Sequence, residues 1–262
     1  MTLAIDTFLL LIATAFVAGA IDALAGGGGL LTIPALLASG IPPVAALATN
    51  KLQSAAGTAS AFLTFHRAGH VDLRRFALPA AGAFAGSVAG AVVVQHVDPH
   101  FLSAFVPVLL IAMALYFLLA PPMSEIDRHA RVGRAGLTIA AAALGFYDGF
   151  FGPGTGSFLT TALVALGGLG LVRAIANTKF LNLATNVAAL AAMIAGGKVL
   201  WLLGGAMAAA NVAGNQLGAY LALRHGGKGV RPLLVAMSLA LTVKLLADPA
   251  NPIWHLLPRP DG

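Results

Sequence analysis

Four charged residues stand within or beside strongly apolar stretches, whereas nearly every other charge falls in a loop or near a segment end. They are Asp22, Lys51, Asp148 and Lys179. A charge buried in apolar surroundings needs a partner, because its desolvation is costly. We expect either two ion pairs, Asp22 with Lys51 and Asp148 with Lys179, or a bound ion. In the first case, the ion pairs only hold each repeat together. In the second, the lysines bind an anion, and the aspartates serve as their charge partners or accept a coupled proton.

A glycine stretch follows each aspartate. The first glycine stretch is residues 26–29, and the second is residues 152–156, which also contain proline and threonine. Glycine weakens a helix by ~1 kcal/mol per residue and frees backbone N–H groups, and at the start of a short helix such groups attract anions. The alternative is that small residues only permit a tight hairpin. The residues predicted to bind an anion are Gly26, Gly27, Gly28, Gly29, Thr49, Asn50, Lys51, Gly152, Gly154, Thr155, Gly156, Ser157, Asn177, Thr178, Lys179 and Asn182.

The same pattern occurs twice along the chain. A shift of 128 residues superposes several pairs, among them Lys51 and Lys179, Gly86 and Gly214, and Gly90 and Gly218. Asp22 aligns with Asp148 after a slip of two residues, which we assign to a longer loop at 167–171. The chain is therefore a duplicated unit.

The composition indicates an integral membrane protein. Hydrophobic residues make up 59% of the chain and charged residues 9%, with a mean hydropathy of +0.90, whereas soluble domains carry roughly 25% charged residues. The long apolar runs do not alternate with polar residues as barrel strands do. The net charge of +6 is therefore assigned to loops that fix orientation, and no nucleic-acid partner is expected.

Ten apolar segments, five in each pseudo-repeat, are predicted to be helices. They span 3–24, 30–39, 43–65, 76–94, 101–120, 134–151, 157–166, 172–195, 200–223 and 232–246. The second segment of each half has about ten residues, roughly 15 Å at 1.5 Å per residue, which is too short to cross a bilayer. We expect an all-α polytopic membrane protein with about eight transmembrane helices, each half having a glycine-rich broken helix or re-entrant hairpin plus three transmembrane helices. One membrane domain, 1–262, would contain pseudo-repeats 1–120 and 133–250, joined by a cytoplasmic loop at 121–132.

Basic loops predict the orientation of these segments, because Lys and Arg accumulate in cytoplasmic loops. Three clusters are present: Arg67, Arg74 and Arg75; Arg128, Arg131 and Arg134; and Arg224, Lys228 and Arg231. If all three are cytoplasmic, the loop at Gly69 lies inside and its repeat partner at Gly197 lies outside, so the halves are inverted. Both termini are then expected in the periplasm. Inverted repeats are common in secondary transporters, whose sites lie near the midplane where broken helices meet.

Other polar residues are expected mainly to join helices. Asn182 and Asn186 stand one helical turn apart, as do Asn211 and Asn215, and such amides stabilise membrane helix contacts by ~0.6 kcal/mol each. Glycines spaced four apart are expected to permit close helix packing. Enzyme signatures are weak: the second glycine stretch lacks the lysine of a phosphate loop, and no cysteine or HExxH motif suggests a metal site. We expect no enzymatic activity, cofactor or metal.

These motifs resemble the sulfite exporter TauE/SafE family, also called the toluene sulfonate uptake permease family, and in particular its uncharacterised branch. The resemblance extends over nearly the whole chain and is carried by residues 26–34, 40–43, 45–51 and 145–157. It implies a bacterial inner-membrane protein that moves small organosulfur or carboxylate anions such as sulfite, sulfoacetate or sulfonates. A departure within the chain is Pro153 and Thr155, where the first half has only glycine, so the two half-sites are unequal.

Together these features predict a secondary transporter in which Lys51 and Lys179 converge with both glycine stretches around one anion. Rocking of one half against the other would alternate access. The expected partners are a small anionic substrate and the lipid bilayer, and a homo-oligomer is compatible with the sequence. Two alternatives remain at this point: an anion channel, and a membrane scaffold or sensor that transports nothing.

Overall fold

The computed structural model describes residues 4–119 and 126–225, and all regular structure within these ranges is helical. The helices are α1 (Ile5–Ala25), α2 (Gly29–Ala38), α3 (Pro43–Arg67), α4 (Leu73–Val94), α5 (Pro99–Leu119), α6 (Arg134–Phe150), α7 (Thr155–Ala165), α8 (Leu171–Ala195) and α9 (Trp201–His225). Each lies within three residues of a predicted segment. The tenth segment, 232–246, and the distal part of the pseudo-repeat 133–250 lie outside the described residues, as does most of the first half of the loop 121–132.

The helices fit a membrane environment. Three are long and apolar enough to span a bilayer, over Ile5–Leu24, Leu73–Val94 and Leu171–Ala195. Large apolar side chains are also widely exposed on the protein surface, for example Ile139 at 71% and Leu202 at 83%. The second helix of each half is short, with 10 residues in α2 and 11 in α7, as expected.

Glycine conformation explains where the long helices stop. Gly26 ends α1 with a φ of +75°, and its N–H donates to the carbonyl oxygen of Asp22. In the second half, Gly152 and Gly154 have φ values of +98° and +81°. These left-handed conformations are disfavoured for residues with a side chain. Glycine at these positions therefore permits the sharp turns into α2 and α7.

The two halves are interleaved rather than side by side. The first helix of each half packs against the fourth helix of the other, α1 against α9 and α6 against α4. Glycines make this approach possible: a Cβ on Gly214 would lie 2.0 Å from the Phe16 carbonyl oxygen, and one on Gly86 would lie 2.1 Å from the Ala142 carbonyl oxygen. The predicted role of the spaced glycines in close packing is confirmed.

The third helices, α3 and α8, pack against each other and run antiparallel. Near the start of α8, Asn177 accepts a hydrogen bond of 2.9 Å from the backbone N–H of Asp72 in the α3–α4 loop. Near the start of α3, Thr49 accepts one of 3.3 Å from the N–H of Leu200 in the α8–α9 loop. The α3–α4 and α8–α9 loops therefore lie at opposite ends of this helix pair.

Equivalent contacts also locate the slip between the halves. Thr32 Oγ1 donates to Asn50 Oδ1 at 2.6 Å, and Thr160 Oγ1 donates to Thr178 Oγ1 at 3.1 Å, with both pairs related by the shift of 128. The two-residue slip therefore precedes α7, and its assignment to the loop at 167–171 was wrong. The extra length is accommodated in the second glycine stretch, where positive φ angles allow an additional turn.

Candidate functional site

Two ion pairs connect opposite halves of the chain; Lys51, Asp148 and Lys179 are buried and Asp22 is part-buried. Lys51 Nζ lies 2.9 Å from Asp148 Oδ2, and Lys179 Nζ lies 2.9 Å from Asp22 Oδ2. The predicted pairs within each half, Asp22 with Lys51 and Asp148 with Lys179, were therefore wrong. The reason is the interleaved packing, which brings the end of α1 against α8 of the other half.

The two ion pairs differ in their hydrogen bonding. Lys179 donates both to the carboxylate and to the main-chain carbonyl of Asp22, so it also holds the last turn of α1. Lys51 meets Asp148 through the carboxylate alone, at 2.9 Å, and within the described residues no hydrogen bond joins Lys51 to the main chain of Asp148. Lys51 Nζ also donates a hydrogen bond of 3.4 Å to Asn186 Oδ1. The Lys51–Asp148 pair is therefore the less constrained of the two.

The glycine stretches of the two halves meet in backbone contact. A Cβ on Gly26 would lie 2.3 Å from the carbonyl carbon of Gly156, and one on Gly29 would lie 3.2 Å from Cα of Pro153. A Cβ on Gly152 would lie 2.9 Å from Nζ of Lys51. A side chain at these positions would separate the two stretches or displace the lysine.

A small cavity lies where the stretches and the ion pairs come together. Its volume is about 20 Å³, and since one water molecule needs roughly 10–15 Å³ of such space, it holds one or two waters. Its wall is almost entirely polar groups and glycine backbone. The lining residues are Asp22, Gly26, Gly29, Asn50, Lys51, Ser54, Asp148, Gly152, Gly154, Gly156, Asn182 and Asn186.

Half of the sixteen residues predicted to bind an anion contribute to this wall, as do Asp22 and Asp148. The exceptions are Gly27, Gly28, Thr49, Thr155, Ser157, Asn177, Thr178 and Lys179, which do not line the cavity. Thr49 and Asn177 bind the inter-helix loops. Thr155 donates to the carbonyl of Gly152 at 2.8 Å. Lys179 reaches the cavity only through its partner Asp22, so the lysines contribute unequally.

Two lining residues were not assigned to the site from the sequence. Asn186 was interpreted as a helix-joining amide, and Ser54 was given no binding role. Ser54 is the repeat equivalent of Asn182, and each stands three residues after the lysine of its helix, Lys51 on α3 and Lys179 on α8. Asn186 stands seven residues after Lys179, on the same helix face. Helical spacing from Lys51 and Lys179 was therefore the signal that could have identified them. Asn211 does join helices, donating to the carbonyl of Ala15 at 2.9 Å.

Comparison with known proteins identifies the family. The family model described as "Sulfite exporter TauE/SafE" matches residues 11–245, so the chain belongs to this family. No solved structure matches it.

Curated relatives of similar length agree with this assignment. The chain is 47% identical over 255 residues to "Probable membrane transporter protein ORF9" of Sinorhizobium sp., covering 96% of this chain and 98% of the relative. It is 46% identical over 235 residues to "Probable membrane transporter protein YfcA" of Escherichia coli K12, covering 89% and 87%. A "Probable membrane transporter protein" of Haemophilus influenzae is 42% identical over 250 residues, covering 95% and 98%. The protein is therefore a multi-pass membrane protein of a transporter family.

Proposed function

We propose that this member of the TauE/SafE family is a secondary transporter of small organic or sulfur-containing anions, such as sulfite, sulfoacetate and sulfonates, across a bacterial inner membrane. The observation that carries the proposal is the cavity in which Lys51 meets glycine backbone from both halves of the chain. It combines a buried cation with a wall of polar side chains and glycine backbone at the contact between the halves.

The chemistry of this wall favours an anion. Lys51 supplies three donors and a positive charge, and its side chain is only 2% exposed, so its field is weakly screened. Asn182 and Asn186 place amide groups beside it. In the first turns of α2 and α7, the N–H groups of Leu30, Leu31, Thr155 and Ser157 already donate to carbonyls of the glycine stretches. Among the described residues of these turns, the donors left for an anion are the N–H groups of Gly29 and Gly156, which lie in the cavity wall.

The closed form of the cavity favours a carrier over a channel. A space for one or two waters cannot conduct ions continuously, so the two glycine stretches must separate before an anion larger than water can enter. Because each stretch belongs to a different half, relative motion of the halves would open the site. An alternating-access cycle of this kind is typical of transporters built from repeats.

Contacts among the loops support an inverted arrangement of the halves. Arg134 donates to the carbonyl of Arg74 at 3.4 Å, and Arg75 donates to that of Gly167 at 2.8 Å. The α3–α4, α5–α6 and α7–α8 loops therefore meet at one end of the protein, opposite the α8–α9 loop. We assign the end rich in arginine to the cytoplasm and both termini to the periplasm. Lys228 and Arg231 lie outside the described residues.

The test is uptake of radiolabelled sulfite and sulfoacetate by proteoliposomes. Lys51→Ala is expected to reduce uptake at least ~10-fold, because one lost charged contact typically costs more than 1.4 kcal/mol. Lys198→Ala, at an exposed loop lysine, should retain wild-type uptake. Equal uptake by Lys51→Ala and the wild type would contradict the proposal. Single-channel currents would instead indicate a channel, and the absence of selective thermal stabilisation by organic anions would indicate a scaffold.

A further inference from the structure

The charges around the cavity cancel. In the part of the chain that the structure describes, Lys51, Asp148 and Asp22 line the cavity, and Lys179 is bound to Asp22. With both carboxylates ionised, two positive charges meet two negative ones. A monoanion that entered this site alone would therefore leave one negative charge buried without a partner, which is strongly unfavourable.

We propose that Asp148 takes up one proton for each monoanion that binds Lys51, so that the transporter couples anion movement to H⁺. The inference rests on the proposed anion transport. The proton comes from solvent and converts the carboxylate to the neutral acid; no other bond forms or breaks. The anion then replaces the carboxylate as the partner of Lys51, and the total charge of the site does not change.

The geometry selects Asp148 rather than Asp22 for this role. Asp22 receives two hydrogen bonds from Lys179, one of them at its main-chain oxygen, so its partner is held even without the carboxylate. Lys51 is held by Asp148 through the carboxylate alone within the described residues, so an anion that replaces this carboxylate takes over its contact with Lys51. The Asp148 side chain is 3% exposed, so an ionised carboxylate that lost Lys51 to an anion would be a buried charge without a partner.

Apart from the paired Lys51 and Asp22, the cavity wall within the described residues contains no titratable group besides Asp148. Lys51 on α3 pairs with Asp148, Asp22 on α1 lines the same cavity, and Lys179 on α8 is bound to Asp22. On its own helix, Tyr147 donates its hydroxyl to the carbonyl of Pro153 at 2.6 Å, so that proton is directed away from the carboxylate. The lining residues include no histidine.

The experiment follows protons and anion separately in proteoliposomes that contain the full chain and an entrapped pH dye, with the membrane voltage clamped by valinomycin and K⁺. The probe is methanesulfonate, which stays a monoanion at neutral pH and so carries no proton of its own. An inward methanesulfonate gradient is expected to acidify the lumen of wild-type vesicles. Asp148→Asn, which imitates the neutral acid, should lose this acidification, and its methanesulfonate counterflow should become independent of pH.

The matched control is Asp22→Asn, the repeat-equivalent substitution, which is expected to retain the acidification. Wild-type counterflow of methanesulfonate without luminal acidification would overturn the coupling inference and leave the proposed transport intact. Absence of wild-type counterflow would overturn the proposed transport of sulfonates itself, and the coupling with it. Persistent acidification in Asp148→Asn would also overturn the inference. Because the wild-type measurement needs no substitution, misfolding of a variant does not obscure the result.

Discussion

Lys51 of the first half forms its ion pair with Asp148 of the second half, with Nζ and Oδ2 separated by 2.9 Å. Both side chains are almost completely buried. The pair therefore connects the halves at the place where their glycine stretches meet, and it does not stabilise either half alone. A contact placed there must change when the halves move relative to each other, which is why the pair is central to both proposals.

The first prediction concerns the identity of the partners. A double-mutant cycle of Lys51→Gln and Asp148→Asn, measured from thermal or denaturant unfolding in detergent, is expected to give a coupling energy of about 1–3 kcal/mol, as for residues in direct contact. The same cycle with Lys51→Gln and Asp22→Asn, which matches the pair within one half, should give a smaller coupling energy, because these two residues share the cavity wall but form no ion pair with each other in the described residues. Larger coupling to Asp22 than to Asp148 would show that the pairs do not cross.

The second prediction separates contact between the glycine stretches from backbone strain. Gly26 and Gly69 have nearly equal φ values of +75° and +77°, so alanine costs each a similar strain of about 1 kcal/mol. Only at Gly26 would the new Cβ meet backbone of the other half, whereas at Gly69 it meets nothing within 4 Å.

Gly26→Ala is therefore expected to lower the unfolding temperature further than Gly69→Ala and to abolish anion uptake, while Gly69→Ala retains it. Thermal unfolding and uptake assays on the two variants provide the measurement. Equal effects on both properties would mean that contact between the glycine stretches is unimportant.

The third prediction tests the inverted orientation. The chain contains no cysteine, so a single introduced thiol reports its own accessibility. Ala68 and Lys198 are exposed in the α3–α4 and α8–α9 loops. In intact cells, a membrane-impermeant maleimide is expected to label Lys198→Cys but not Ala68→Cys, and both should react after lysis. Labelling of both variants in intact cells, or of Ala68→Cys alone, would contradict the assigned orientation.

Helix positions were predictable because they depend on local properties of the chain. Apolar runs of sufficient length and glycine stretches that interrupt them gave the first nine helices within three residues of their observed bounds. The duplicated arrangement of charges also identified most of the cavity wall. Thr49 and Asn177 illustrate the limit of this approach, because their position beside the lysines suggested substrate contact although they bind neighbouring loops.

Residue types and their order along the chain were thus enough to predict a duplicated, helical membrane protein with four charges in apolar surroundings and two glycine-rich breaks. Which lysine meets which aspartate depended on the packing of α1 against α9 and of α4 against α6. Such pairing is a long-range property, since a buried charge is satisfied by any opposite charge that the fold brings near it. The packing of the interleaved helices, and not proximity in sequence, therefore determines the ion-pair partners and places Lys51 and Asp148 together in the cavity.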